Sequence, residues 1–209
     1  MKLYGSSNPK SFNSLKLRVA LAEIGAPYEY VPIDLEKNEQ HEPAFVRVNP
    51  HGKVPVLVDG DFALPESDAI LWYLGEKYPE AKLLPSVDGS LAVTQARARV
   101  LQWCDFASTT LYYAYSQYWN YALVEESKRY PALAAEAVGK ILRGVGVMET
   151  VLGSREWLAG PSYSLADLSN TSIVFALKRR LPQDPLASAD RVRAWYERVT
   201  ARQAWQSSM

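Results

Sequence analysis

The sequence predicts a mixed α/β domain followed by an all-helical one, and three observations carry that prediction. Short strand-like runs alternate with helical periodicities over residues 1–80, strand patterns vanish beyond the Pro- and Gly-containing connector 79–89, and residues 90–209 show helical spacing throughout. A chain of 209 residues is long enough for two such domains, each with its own core.

The elements follow in order. Lys2–Tyr4 reads as a short strand, and Ser14–Ile24 as a helix, because Leu17, Ala20, Leu21 and Ile24 recur at helical spacing while Lys16 and Glu23 fall on the opposite, polar face. Gly25 and Pro27 end that helix. Tyr28–Ile33 is a second strand that belongs at a sheet edge, since Pro32 cannot donate to a ladder. A short helix is expected at Pro43–Arg47. Val56–Val58, Asp59-Gly60 and Phe62–Leu64 form a hairpin signal. Ser67–Tyr78 is a helix stopped by Pro79. The resulting order β-α-β-α-β-β-α makes a four-stranded mixed sheet.

In the second part, Ser90 to Tyr121 contains neither Gly nor Pro and carries Val93, Ala96, Val100, Ala107 and Leu111 at helical spacing, a rod of roughly 40 Å or more. Further helices are expected at Tyr130–Leu152, Ser164–Leu181 and Ala189–Arg202. Ser164-Leu-Ala-Asp167 has capping-box spacing, with Tyr163 and Leu168 placed for a hydrophobic staple. It reads as a stability element, with the Ser164 cap contributing about 1 kcal/mol.

Composition narrows the function classes. Twenty-three basic and 23 acidic residues cancel, and nine basic against twelve acidic up to position 82, then fourteen against eleven beyond it, leave no basic stripe for nucleic acid. Cys104 is the single cysteine, which excludes an intrachain disulfide and a CxxC redox pair; with only His41 and His51 besides, no structural zinc site is expected. No signal peptide is read at the N-terminus, and the longest uncharged apolar run, Ala69–Leu74, is far short of the ~20 residues that span a bilayer. A cytoplasmic location, with no membrane and no metal, is the expectation.

Three local constellations could carry chemistry. The loop Gly5–Ser14 leads into the first helix, whose N-terminal N–H groups and dipole favour an anion, with Ser11, Asn13 and Ser14 as further donors or as a plain N-cap. In Gly52-Lys-Val-Pro-Val56, Pro55 opens a strand; an X-Pro bond is trans by default. Pro65-Glu-Ser-Asp68 starts another helix, where Ser67 could take a carboxylate or simply cap.

Together with Leu3-Tyr-Gly-Ser, the run from Ser11 to Leu21, the segment Asn49 to Leu57, Glu66-Ser-Asp-Ala-Ile70 and Ser164-Leu-Ala-Asp167, the chain resembles the cytosolic glutathione transferase family in its serine-type, bacterial-like form. The resemblance implies a thioredoxin-like domain over 1–80 that binds glutathione and a helical domain over 90–209. It implies a cis Val54–Pro55 bond with the Val54 backbone pairing with the cysteinyl unit, Glu66 and Ser67 on the γ-glutamyl end, and Gln40, His41 and Lys53 as candidates for the glycyl carboxylate, Gln40 and Lys53 being favoured. Ser11 would donate a hydrogen bond to the glutathione sulfur, with Asn13 and Tyr4 as rivals. No cysteine lies in the loop, which argues against a cysteine-type relative. Tyr112, Tyr115 and Trp119, at helical spacing, are candidates for the pocket of a small hydrophobic electrophile and equally for core. Cys104 reads as a small buried residue, and Trp195 and Trp205 as packing groups.

The function implied is a homodimeric detoxification enzyme that activates glutathione as co-substrate without a metal. The alternatives are a non-catalytic interaction protein of the same fold, or another glutathione-dependent reaction such as isomerisation, peroxide reduction or dehalogenation.

Overall fold

A computed structural model describes residues 1–209 as two packed units, Met1–Ser86 with Ala201–Met209, and Val87–Thr200.

The first unit contains β1 (Lys2–Ser6), α1 (Phe12–Ile24), β2 (Glu29–Ile33), a 3-10 turn at Glu39–His41, α2 (Pro43–Val46), β3 (Val56–Asp59), β4 (Phe62–Pro65) and α3 (Ser67–Lys77). The sheet order is β2-β1-β3-β4, with β1 and β2 parallel and the other pairs antiparallel. Pro32 thus lies on an edge strand, as its missing N–H requires. Strand alternation sorts the core. Leu3 pairs with Leu57 on one face and both are buried, whereas Tyr4 pairs with Val56 on the other and packs with Phe45 and Ile33. Gly25 closes α1 in the left-handed region (φ 71°), its N–H bonding to the Leu21 carbonyl.

The second unit holds α4 (Leu91–Asp105), a π-helical segment (Phe106–Tyr112), α5 (Tyr113–Ala122), α6 (Pro131–Val151), α7 (Leu165–Arg180) and α8 (Asp190–Thr200). The expected uninterrupted rod from 90 to 121 is therefore broken by one widened stretch. Thr109 Oγ1 and Ser108 Oγ donate to the Asp105 carbonyl at 2.7 and 3.2 Å, competing with the backbone ladder where it widens. Every residue of α7 from Leu165 to Leu177 is buried, polar ones included. Asn170 ties α7 to α4, its Nδ2 donating to the carbonyls of Trp103 and Ala166, both at 2.8 Å, while Asn170 Oδ1 and Thr171 Oγ1 stay buried without a partner. No helix is long and apolar enough to cross a membrane.

The last element, α9 (Gln203–Ser208), follows α8 in sequence but packs in the first unit, where Arg202 makes a two-pronged ion pair with Glu23 of α1 at 2.6 and 2.9 Å.

Candidate active site

Two helix N-termini meet in the first unit. Ser11 is the N-cap residue of α1 in extended conformation, and its hydroxyl makes no cap bond. Ser14 is otherwise engaged: it is buried, and its Oγ accepts the Ser6 N–H at 3.0 Å, tying the end of β1 to α1. Asn13 Oδ1 accepts from Ser67 Oγ at 3.4 Å, linking the start of α1 to the start of α3 and leaving the Asn13 Nδ2 available as a donor. Hydrogen-bond accounting therefore separates three residues that the bare pattern left equivalent.

Beneath this junction lies a buried ion pair. Lys16 Nζ is 2.9 Å from Asp68 Oδ1, with side-chain exposures of 4% and 21%. Helical periodicity assigned Lys16 to the polar face; the structure corrects this, because the solvent on that side is replaced by the first turn of α3. Desolvating an ammonium is costly unless it is paired, and Asp68 supplies the pairing from a helix N-terminus that itself favours negative charge. The two partners are therefore unequal. Asp68→Ala removes a carboxylate that compensates a buried cation and is expected to cost up to about 3 kcal/mol, whereas Lys16→Met leaves a partly exposed carboxylate at a helix start and costs less. Urea unfolding of the two variants checks the order.

Glu66 precedes α3 with φ 70° and ψ 111°, a backbone region that L-residues rarely adopt. Such a conformation costs on the order of 1–3 kcal/mol and persists where the surroundings over-determine it. Its side chain is exposed and makes no cap bond, so the first turn of α3 lacks a side-chain cap at Glu66.

The third part of the site is the turn 49–55. Asn49, 1% exposed, organises it: Nδ2 donates to the Lys53 carbonyl at 2.7 Å and Oδ1 accepts the His51 N–H at 3.1 Å. Gly52 has φ 60°, and a Cβ there would lie 2.9 Å from His41 Nδ1 and 3.2 Å from the Gln40 carbonyl, so only glycine lets this turn nest against Glu39–His41. His41 is thereby a packing group over Gly52. Gln40 Oε1 is buried without a partner, while its Nε2 reaches Asn38 Oδ1 at 3.5 Å. A buried amide left unpaired costs free energy; a ligand N–H relieves it, or, with the amide turned over, a ligand carboxylate. Lys53 is exposed on the same turn. Val54–Pro55 is a cis bond, and the β1–β3 ladder begins only at Val56, outside Val54.

The first 76 residues match the glutathione S-transferase N-terminal domain model, and residues 104–203 match the C-terminal domain model of the same family. The chain belongs to the glutathione S-transferase family. Glutathione S-transferase F10 of Arabidopsis thaliana is 32% identical over 95% of this chain and 92% of its own. Glutathione S-transferase 3 of Zea mays is 32% identical over 100% of this chain and 93% of its own. Among solved structures, glutathione transferase URE2P8 of Phanerochaete chrysosporium, crystallised with oxidized glutathione, superimposes with a TM-score of 0.88 at 27% identity over 99% of this chain and 92% of that one. The protein is thus a glutathione transferase, with the family's thioredoxin-like domain and all-helical domain and glutathione as its substrate.

Other candidates fall elsewhere in the transferase. Tyr4 packs edge-tilted against Phe45, ring centroids 6.0 Å apart. Tyr112, Tyr115 and Trp119 do form one row, with successive centroids 6.5 and 6.2 Å apart. Only Tyr115 is core, and burial pushes its hydroxyl pKa up. Tyr112 and Trp119 stay about two-fifths exposed, and the Arg180 guanidinium stacks 5.1 Å from the Trp119 ring. A cavity of about 460 Å³ in the helical unit opens on a different side of α5, against Tyr118, Tyr121, Val138 and Leu181, and includes none of the three. Cys104 is buried beside the Trp103–Phe106 ring pair.

Residue-by-residue reading missed Lys16, Asp68 and Asn49 as organisers. For Asn49 a signal was present, since Asn-Pro followed two positions later by Gly is a turn signature.

Proposed function

We propose that the transferase is of the serine type, with the Ser11 hydroxyl donating to the sulfur of glutathione bound across the starts of α1 and α3. The observation that carries this reading is the Ser11 hydroxyl, which sits at a helix N-cap without a cap bond while its neighbour Ser14 is spent on Ser6. The Asn13 Nδ2 is a second donor to the same region.

A thiol with pKa ~8.5 is only a few per cent ionised at neutral pH, and lowering it by two units requires about 2.7 kcal/mol. One charge-assisted hydrogen bond supplies about 1.5–3 kcal/mol, and the α1 N-terminus adds about 0.3–1 kcal/mol. Binding energy from the rest of the tripeptide positions the thiolate. Glu66 takes the α-amine of the γ-glutamyl unit, Ser67 with the α3 N-terminus its carboxylate, the Val54 backbone the cysteinyl amide, and Gln40 with Lys53 the glycyl carboxylate. Holding the thiolate beside a small hydrophobic electrophile then removes much of the entropic barrier to attack. Tyr112 and Trp119 offer the exposed aromatic surface proposed for that electrophile. Function as a cytoplasmic homodimer in detoxification belongs to the same proposal, and size-exclusion chromatography tests the dimer.

The test of the thiol assignment is titration of enzyme-bound glutathione in wild type and Ser11→Ala, with turnover of 1-chloro-2,4-dinitrobenzene. For the tripeptide contacts, Glu66→Ala and Ser67→Ala are each expected to raise the glutathione Kd about tenfold or more, the loss of one hydrogen bond to a charged group. Isothermal calorimetry reads this directly, and wild-type affinity in both variants would refute the placement.

A further inference from the structure

We infer that Arg18 is a positioning residue that ties the loop before α1 to α9, so that α9 helps to hold the thiol-activating end of α1 in place. The inference rests on the reading that this loop and helix start carry the thiol-activating donor.

The loop Ser7–Lys10 is exposed throughout. Most of its bonds are local: Asn8 N–H to Ser6 Oγ at 3.2 Å, Lys10 N–H to Asn8 Oδ1 at 2.9 Å, and Ser11 N–H to the Asn8 carbonyl at 3.0 Å. Two contacts anchor it to the fold. The Ser7 N–H bonds to the Ile33 carbonyl at 2.9 Å, and Arg18 Nη1 donates to the Pro9 carbonyl at 3.2 Å, two residues before Ser11. The other arm of the same guanidinium, Nη2, donates to the Ser208 carbonyl of α9. Its carbon lies 5.8 Å from the centre of the Tyr30 ring, and Tyr30 Oη donates to the Ser6 carbonyl at 2.7 Å. One cation therefore sits at the crossing of both ends of the loop and α9.

The residue type fits the task. A planar fork with a donor on each arm holds two carbonyls of different segments in one fixed geometry, whereas an ammonium offers rotatable donors on a single atom and fixes that geometry less well. α9 is itself a fixed body: Ala204, Trp205 and Ser208 are buried, and Arg202 grips Glu23 further along α1. Motion of the Pro9 carbonyl moves Ser11 directly, and displacements of about 1 Å at a reacting group can cost on the order of a hundredfold in rate.

The experiment uses the full chain carrying Arg18→Gln, Arg18→Lys, Trp205→Ala and the double variant Arg18→Gln/Trp205→Ala. The pKa of enzyme-bound glutathione, kcat/KM and glutathione Kd are measured on the folded fraction. Arg18→Gln is expected to raise the bound thiol pKa by about one unit and to lower kcat/KM at neutral pH about tenfold, one pKa unit being tenfold in thiolate, with Kd changed much less. Arg18→Lys should recover only part of this. Trp205→Ala, which undocks α9, should shift the pKa in the same direction, and the double variant should shift it no further than Arg18→Gln alone. A purely structural Arg18 would lower the unfolding temperature and leave the thiol pKa of the folded enzyme unmoved, which overturns the inference. Additive shifts in the double variant overturn the part assigned to α9. Ser11→Ala, titrated in parallel, separates the two readings: an unmoved pKa there removes the serine assignment, while a raised pKa in Arg18→Gln still upholds Arg18 as the residue that positions the loop.

Discussion

Ser11→Ala is expected to lower kcat/KM at neutral pH by about 10- to 150-fold, the equivalent of one charge-assisted hydrogen bond of about 1.5–3 kcal/mol. The effect should appear as a pKa change. The bound thiol, no longer given a donor by the serine, moves up by about 1–2 units, and the pH–rate profile moves with it. At a pH above the shifted value the variant regains most of its rate, because the thiolate forms without help. Glutathione Kd should change little, since the tripeptide is held mainly through its charged ends. A titration curve that superimposes on wild type would show that another group, with Asn13 first in line, activates the sulfur.

Asp167→Ala should be the most destabilising single change in the helical unit. Asp167 is fully buried, and its carboxylate accepts the Leu158 N–H at 3.0 Å, the Ser164 N–H at 3.0 Å and the Trp195 Nε1–H at 2.8 Å, with Ser164 Oγ at 3.2 Å. The capping box is thus the smaller part of its work; the same side chain fastens the segment before α7 and the α8 tryptophan to the start of α7. Removing it leaves three buried N–H groups and the Ser164 hydroxyl without this acceptor, each N–H costing about 1–3 kcal/mol, so a loss on the order of 5 kcal/mol is expected. For a chain of this size that lowers Tm by about 10–20 °C. Calorimetry checks it, and a loss confined to the ~1 kcal/mol of an ordinary cap would show the other contacts to be incidental. Burial pushes the Asp167 pKa up, partly offset by these donors. A carboxyl raised in this way takes up a proton on folding, so its own contribution is fullest below the ordinary carboxylate range and declines as pH rises through the folded pKa. Asp167→Asn, which keeps one acceptor oxygen but turns an NH2 toward the Ser164 N–H, should fall between wild type and Ala, and by less at neutral than at acid pH.

What could be read along the chain follows its local physics. Helix periodicity located α1, α3, α6 and α7 within a few residues, and the Asp59-Gly60 pair located the hairpin. The motif segments by themselves carry the resemblance to the family that the whole chain bears out. The site was legible as three segments and illegible as an arrangement, because Asn13 and Ser67 are 54 positions apart and nothing in either stretch announces the other.

The sequence by itself determined the class of the four strands and of the helices up to α8, though neither the π-helical break after α4 nor α9, and it determined the edge position of β2, since Pro32 removes a donor whatever surrounds it. It also determined the capping box at α7, a contact between residues three apart. Tertiary structure alone decided that Lys16 is buried, because its partner Asp68 lies 52 positions away. It alone decided that Trp195 serves Asp167 from 28 positions away, and that α9 rests on α1 in the first unit. Backbone preference and periodicity depend on neighbours in the chain, whereas the cost of burying a charge or a polar group depends on which distant group arrives to pair with it.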